Sequence, residues 1–124
     1  MNFVVTRDDM EAKVNRVLRD GGDLYTFDDI MEAIGTGNMQ SFTQGDTWIV
    51  TSIMVFPRRK VLSIELIAGF FEDFGIALPR LEEFARKVGA TRMVGRGRLG
   101  WGKLADQRKQ FGWKKTGDMY AKDL

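Results

Sequence analysis

Two long runs of apolar and β-branched residues dominate the hydropathy pattern of this chain. They cover Thr47–Phe56 and Lys60–Ala68, and only the polar connector at 57–59 separates them. Runs rich in Val, Ile, Thr, Phe and Trp on either side of a short turn containing Pro are typical of an antiparallel hairpin. Both faces of the first run are largely apolar, which indicates a central strand covered on both sides. We therefore expect the rest of the chain to pack around this hairpin.

Alternation along the second run predicts which of its side chains share a face of the sheet. One face carries four apolar residues, namely Leu62, Ile64, Leu66 and Ala68. The opposite face carries Val61, Ser63, Glu65 and Ile67. Glu65 is then the lone charge in the most buried strand.

Apolar residues at helical spacing predict three helices around this hairpin. The first covers Asp9–Arg19, the second follows the N-cap Thr26 and stops at Gly35, and the third covers Leu78–Val88. Pro79 fits the first turn of the third helix, where proline is well tolerated. The spacing of the second helix directs four side chains inward, namely Phe27, Ile30, Met31 and Ile34.

The remaining segments complete an α+β pattern. Shorter apolar patterns predict strands at Asn2–Thr6, Met39–Gln44, Thr91–Val94 and Lys114–Lys122, and a last helix at Trp101–Gln110. A mixed central sheet is predicted by this element order, in which two helices come first, a strand meander follows, and a helix, strand, helix and strand complete the chain. A length of 124 residues suits one domain over 1–124.

Composition excludes several classes of chemistry. The chain contains no cysteine and no histidine, which removes disulfides, thiol nucleophiles, Ser-His triads and ordinary zinc sites. No metal site is expected. The N-terminal residues do not resemble a signal peptide, and no apolar run reaches the roughly 18–20 residues that a membrane span requires. We therefore expect neither secretion through a signal peptide nor membrane association.

Charge is distributed unevenly along the chain. Residues 1–88 contain 10 Lys and Arg against 14 Asp and Glu, whereas residues 89–124 contain 9 against 3. A basic end of this kind can serve phosphate groups, nucleic acid or an acidic partner, or it can be a solvated surface.

A glycine-arginine stretch at 95–102 lies in this basic third. Its Gly-x-Gly-x-x-Gly spacing is that of a dinucleotide fingerprint, but only Met93 and Val94 precede it as a strand, so a Rossmann unit is not expected. Three interpretations stay open: a glycine-dependent turn with solvated arginines, an anion site, or a protein interface. The residues concerned are Arg96, Arg98, Trp101, Lys103, Trp113, Lys114 and Lys115.

A predicted short helix is followed by the sequence Phe111-Gly112-Trp113-Lys114-Lys115-Thr116-Gly117. Together with the element order, this sequence resembles the GNAT (GCN5-related N-acetyltransferase) superfamily. The ending, with Arg-Leu-Gly-Trp-Gly at 98–102 and Met-Tyr-Ala-Lys-Asp-Leu at 119–124, is particularly similar to small GNAT-like proteins of tailed bacteriophages. The resemblance covers residues 39–124, and residues 1–38 match as a helical pair. It implies the acyl-CoA N-acyltransferase fold, a host-cytoplasmic or virion setting, and phage structural or assembly proteins as partners.

The resemblance also implies where acetyl-CoA would bind. In the family, backbone N–H groups in a Gln/Arg-x-x-Gly-x-Gly/Ala loop hold the pyrophosphate between the second hairpin strand and the next helix. That place is taken here by 69–77, which lacks the motif spacing and contains Glu72 and Asp73. Two carboxylates would repel a pyrophosphate. Should the cofactor bind nevertheless, its backbone contacts are expected from Gly69, Phe70, Gly75 and Ile76.

The resemblance points to one catalytic candidate. Glu65 stands where many family members keep a carboxylate general base, and a carboxylate there could deprotonate an amine. The alternative is a structural carboxylate paired with Arg92 or Arg96. The tyrosine that the family often uses as an acid corresponds here to Arg108.

These features favour a non-catalytic GNAT-fold binding protein that needs no cofactor. An active acetyl-CoA-dependent N-acetyltransferase that uses Glu65 is the first alternative. Nucleic-acid binding through the basic C-terminal third is the second.

Overall fold

A computed structural model of the chain describes residues 7–20, 24–95, 113, 116 and 122–124. The predicted strand at Asn2–Thr6 and the predicted helix at Trp101–Gln110 lie outside these residues, as does most of the predicted strand at Lys114–Lys122. The architecture below concerns the described part of the chain.

Three helices and four strands make up the described fold. In chain order they are α1 (Arg7–Asp20), α2 (Phe27–Gly35), β1 (Met39–Gln44), β2 (Thr47–Val55), β3 (Lys60–Ala68), α3 (Phe71–Lys87) and β4 (Arg92–Gly95). The strands form one sheet in the order β1-β2-β3-β4. β2 pairs antiparallel with β1 and with β3, whereas β3 and β4 are parallel. The predicted hairpin and the mixed α+β sheet are confirmed. None of the described helices is long and apolar enough to cross a membrane.

The sheet is covered on both faces, as the apolar character of β2 predicts. On one face, α1 and α2 bury a cluster that contains Val14, Leu18, Phe27, Ile30, Trp48, Val50, Leu66 and Ala68. On the other face, α3 buries Ile49 and Ile64 beneath Phe74, Ala77, Leu78 and Leu81. Alternate residues of β2 thus enter opposite cores.

Helix α2 begins with a capping box that the sequence predicts in part. The Thr26 hydroxyl accepts the N–H of Asp29 at 3.1 Å, and the Asp29 carboxylate accepts the N–H of Thr26 at 2.9 Å. Hydrogen bonding to the Asp29 carboxylate, first from the backbone N–H of Thr26 and to a lesser degree from its hydroxyl, lowers the pKa of Asp29 below its ordinary value. Phe27 and Ile30 are buried as predicted. The predicted inward position of Met31 is wrong, since its side chain is 43% exposed.

A β-bulge in β3 changes the predicted faces of that strand. Leu66 lies opposite Val50, but Ile64 lies opposite Thr51, so Glu65 is an extra residue between two paired positions. Leu62 and Ile64 accordingly contact the core under α3, whereas Leu66 and Ala68 contact the core under α1 and α2. The prediction that these four residues share a face is wrong, because one extra residue reverses the alternation.

Helix α3 begins seven residues before its predicted start at Leu78. Phe71, Phe74, Ala77 and Leu81 already follow helical spacing and pack against the sheet. Pro79 is therefore the ninth residue of the helix and lies in its interior. The placement of Pro79 in the first turn is wrong. A preference of proline for helix starts is only statistical, and here packing of the apolar face determines where the helix begins.

Candidate functional site

The connection from β3 to α3 contains only Gly69 and Phe70. The buried hydroxyl of Thr47 at the start of β2 accepts the N–H of Phe70 at 2.8 Å. The same hydroxyl donates to Oδ2 of Asp73 at 2.6 Å. A single threonine thus links the end of β3 to the first turn of α3. We call this group of residues, Thr47, Gly69, Phe70 and Asp73, the Thr47 junction.

Close packing at the Thr47 junction requires glycine at position 69. Gly69 has a φ of 141°, in a region that side chains other than glycine rarely adopt. A Cβ atom built on it would lie 2.8 Å from the Cα of Thr47. The backbones of β2 and the β3–α3 connection therefore touch, and this closeness lets the Thr47 hydroxyl reach both of its partners.

The Thr47 junction lies where the family resemblance would place the pyrophosphate. Its geometry differs from an open loop of backbone donors, because the Phe70 N–H is bonded to Thr47 and the Asp73 N–H donates to the Phe70 carbonyl at 3.2 Å. The first four N–H groups of an α-helix have no partner within the helix and could bind an anion. Gly75 and Ile76 are the fifth and sixth residues of α3, so they do not supply such free N–H groups. The expectation of a loop as far as Ala77 is wrong.

The charges at this helix terminus are negative. Glu72 is exposed and Asp73 is half-buried, both in the first turn of α3. In the described part of the chain, no lysine or arginine forms an ion pair with either carboxylate. Carboxylates in a first turn stabilise the helix through its dipole, so both residues have a structural explanation. A pyrophosphate placed there would be repelled by about 1–4 kcal/mol for each pair of charges ~4 Å apart.

A second group of polar side chains surrounds the bulge in β3. The hydroxyl of Ser52 donates to Oε1 of Glu65 at 2.7 Å, and the carboxylate is half-buried. β4 pairs with β3 from Val61 to Ile64, which makes Glu65 the first β3 residue beyond this described pairing. Bulges are over-represented beside active sites, because they redirect a side chain and interrupt a strand ladder.

As the alternative to a general base, the sequence predicts an ion pair between Glu65 and either Arg92 or Arg96. Arg92 is paired with Val61, four residues and roughly 13 Å along the strand from Glu65. Among the described residues, Arg92 forms no ion pair with Glu65, and the second carboxylate oxygen, Oε2, accepts no hydrogen bond. Arg96 lies outside the described residues. The general-base role of Glu65 stays a prediction.

Ser63 is a polar residue of this group that the sequence analysis does not single out. It lies directly opposite Ser52 and is completely buried. Its Oγ has no hydrogen-bond partner among the described residues. A buried hydroxyl without a partner is uncommon and destabilising. The only signal in the sequence is one serine in each of two largely apolar runs, which does not reveal that they face each other.

Of the seven basic and aromatic residues that the sequence singles out in the C-terminal third, only Trp113 lies among the described residues. Arg96, Arg98, Trp101, Lys103, Lys114 and Lys115 lie outside the described residues, so their anion-binding or interface roles stay predictions. Trp113 is half-buried, and its ring centroid lies 6.2 Å from that of Phe74 in α3. Trp113 therefore contributes to the core under α3, whatever else it contacts.

Comparison with known proteins supports the fold and leaves the activity open. No protein-family model matches this chain, and no curated protein sequence is significantly similar to it. The protein TTHA1254 from Thermus thermophilus superposes with a TM-score of 0.59 at 14% identity, covering 100% of this chain and 97% of that protein. An acetyltransferase from Trypanosoma brucei has a TM-score of 0.59 at 14% identity, covering 96% of both chains. A probable acetyltransferase has a TM-score of 0.62 at 11% identity, with 100% and 97% covered.

These similarities show a fold. The mixed sheet flanked by helices is that of GNAT-like acetyltransferases, which confirms the predicted fold class. At identities of 11–14%, a shared fold does not transfer a substrate, a cofactor or a catalytic residue. The bacteriophage part of the resemblance stays a prediction.

Proposed function

We propose that this chain is a GNAT-fold protein that does not transfer acetyl groups and acts by binding another protein. The observation that supports this most directly is the Thr47 junction. The Thr47 hydroxyl accepts the hydrogen bond of the Phe70 N–H. The adjacent helix turn contains Glu72 and Asp73, and neither forms an ion pair with a basic residue in the described part of the chain. Binding a pyrophosphate there would require breaking the partly buried hydrogen bond between the Phe70 N–H and the Thr47 hydroxyl and bringing like charges together.

The test is a calorimetric titration of the full chain with acetyl-CoA. The proposal predicts no saturable heat at millimolar cofactor, because the two penalties oppose binding. Saturable binding with a micromolar Kd would refute the non-catalytic proposal. A thermal-shift measurement on the same samples provides an independent readout, since a bound cofactor raises Tm by mass action.

A second candidate function is supported by the bulge at Glu65. In an N-acyltransferase, a carboxylate beside the interrupted β3 ladder would remove a proton from the attacking amine, and Oε2 of Glu65 accepts no hydrogen bond from the described residues. The Ser52 hydroxyl would hold the carboxylate in position. Release of the CoA thiol in the presence of an amine acceptor would support this function. Its loss in Glu65→Gln, with unfolding unchanged, would distinguish a base from a structural carboxylate.

The setting of this binding role also remains a proposal. A place in a phage particle or its assembly, or in the host cytoplasm, is proposed only because the sequence pattern of residues 98–124 resembles that of small phage proteins. Co-purification of partners with wild type and with Trp101→Ala tests it, because tryptophan is a frequent anchor of protein interfaces. Unchanged association in the variant would exclude Trp101 as an anchor.

A further inference from the structure

A groove of about 340 Å³ lies at the hairpin end of the sheet. Its walls come from β2, β3, β4 and the hairpin connector, through Met54, Phe56, Arg59, Val61, Arg92 and Val94. The volume is at the lower end of the range of ligand pockets, about 300–1,000 Å³. It suits one or two large side chains of a peptide.

The groove lies on the face of the sheet that α1 and α2 also cover. Met93 packs against the core under α3, so its neighbours Arg92 and Val94 lie on the opposite face. α1 and α2 bury Trp48 and Ala68, which pair at the far end of the β2–β3 hairpin. The groove therefore lies on the same face as this core but nearer to the connector between β2 and β3.

The chemistry of the groove combines an apolar floor with a basic rim. Met54, Val61 and Val94 supply the floor, and none of the described residues that line the groove is acidic. Arg59 and Arg92 at the rim are exposed, and among the described residues neither forms an ion pair. Two cations without counter-charges beside an apolar floor favour a ligand that is both apolar and negatively charged.

We propose that this groove binds an acidic segment of a partner protein that carries one bulky apolar side chain. The apolar side chain would lie against Met54, Val61 and Val94, where its burial removes apolar surface from water. Carboxylates on either side of it would accept hydrogen bonds from Arg59 and Arg92, whose planar guanidinium groups suit bidentate contacts. The partly exposed ring of Phe56, at 47%, would gain cover on binding.

A peptide fits the groove better than a nucleic acid. Single-stranded nucleic acid binds largely by stacking its bases on aromatic side chains, and among the described residues that line the groove only Phe56 is aromatic, whereas Met54, Val61 and Val94 offer aliphatic and thioether surface. The groove is also remote from the Thr47 junction, because Val61 and Gly69 are eight residues and roughly 26 Å apart along an extended strand. The proposal therefore holds whether or not the chain binds acetyl-CoA.

Fluorescence anisotropy with three labelled probes tests the proposal on the full chain. The first probe is a short peptide of Asp and Glu around a single Phe, and the second replaces that Phe with Ser. The third is an oligothymidylate. The protein variants are Arg59→Glu and Arg92→Glu, and Arg16→Glu is the matched control, because it reverses one exposed arginine of α1.

We expect saturable binding of the Phe peptide, at least about tenfold tighter than the Ser peptide or the oligothymidylate. Arg59→Glu and Arg92→Glu should each weaken it about tenfold, and Arg16→Glu should leave it unchanged. Equal binding of both peptides, tighter binding of the oligothymidylate, or equal losses in all three variants would overturn the proposal, as would the absence of binding. If one rim variant unfolds, the other variant and the peptide pair still decide the outcome.

Discussion

At the scale of single residues, Gly69 and Thr47 determine the shape of the candidate cofactor region. Gly69 allows two backbones to approach so closely that a methyl group would overlap the Thr47 side chain. Thr47 uses this closeness to bond the Phe70 N–H and the Asp73 carboxylate at once. One small residue and one hydroxyl therefore replace the flexible, glycine-rich loop that the family resemblance implies.

Gly69→Ala should destabilise the fold by at least about 2 kcal/mol, because it adds backbone strain at a positive φ to a steric overlap. Urea unfolding followed by circular dichroism measures this loss. Gly35→Ala is the matched control, since its new methyl group would meet no atom within 4 Å. It should change stability by no more than about 1 kcal/mol. Equal stability of the two variants would show that the Thr47 junction is not packed as described.

At the scale of elements, helix α3 carries an internal proline, although the local sequence predicts that this proline lies in the first turn. Pro79 lacks the N–H that would donate to the Gly75 carbonyl four residues earlier, and its ring crowds that carbonyl. Because residue 75 is a glycine, the backbone there has some freedom to adjust to the proline ring. The helix persists through Pro79 because Phe74, Ala77, Leu78 and Leu81 bury a continuous stripe against the sheet.

Pro79→Ala should stabilise the protein by about 2–2.6 kcal/mol. An interior proline costs about 3 kcal/mol relative to alanine, and its restriction of the unfolded chain offsets only about 0.4–1 kcal/mol of that. The increase in the urea midpoint, at constant m-value, is the measurement. Glu83→Ala, at an exposed site of the same helix, is expected to change stability by less than about 0.5 kcal/mol. A destabilised Pro79→Ala would contradict a helix that runs unbroken through this position.

The capping box of α2 predicts a specific pH dependence. The pKa of Asp29 is lowered in the folded state, so its contribution to stability is present above the unfolded value and is lost as the pH falls through the folded value. Asp29→Asn should therefore reduce the acid sensitivity of folding, measured by urea unfolding from neutral to acidic pH. In Thr26→Ala, the pKa measured by carboxyl ¹³C titration should rise only in part, because the backbone N–H, the larger cause, remains. An unchanged acid profile in Asp29→Asn would refute this assignment.

The elements differ in how far the sequence predicts them, for physical reasons. The β2–β3 hairpin and the Thr26 cap follow from local signals, namely β-branched runs and a hydroxyl beside acidic residues. The bulge at Glu65 leaves no such signal, because both faces of β3 are mostly buried and a one-residue slip does not expose a hydrophobic side chain. The early start of α3 depends on packing against Ile49 and Ile64, which local propensity does not report.

The candidate site was less predictable than the fold. Glu65 stands out as a lone charge, and its half-buried position is consistent with that signal. Its bond to Ser52 and the buried hydroxyl of Ser63 depend on strand register, which is a property of the paired strands. Likewise, Thr47 and Asp73 are 26 residues apart, so their hydrogen bond exists only in the folded chain.

At the scale of the whole molecule, the sheet separates two distinct surfaces along β3. The Thr47 junction lies at one end of the strand and contains partly buried hydrogen bonds and acidic charge. The groove at the other end joins an apolar floor to the exposed Arg59 and Arg92. In the described part of the chain, the charge at the Thr47 junction disfavours an anion, and our proposal predicts that the groove at the hairpin end attracts one.

An NMR titration of uniformly ¹⁵N-labelled protein with acetyl-CoA tests the central claim most directly, because it reports on the backbone amides of Phe70 to Asp73 one by one. The Thr47 junction predicts that these amide resonances show no saturable shift up to millimolar cofactor. Shifts that saturate at micromolar acetyl-CoA and are largest at these amides would contradict the account and identify a working cofactor site.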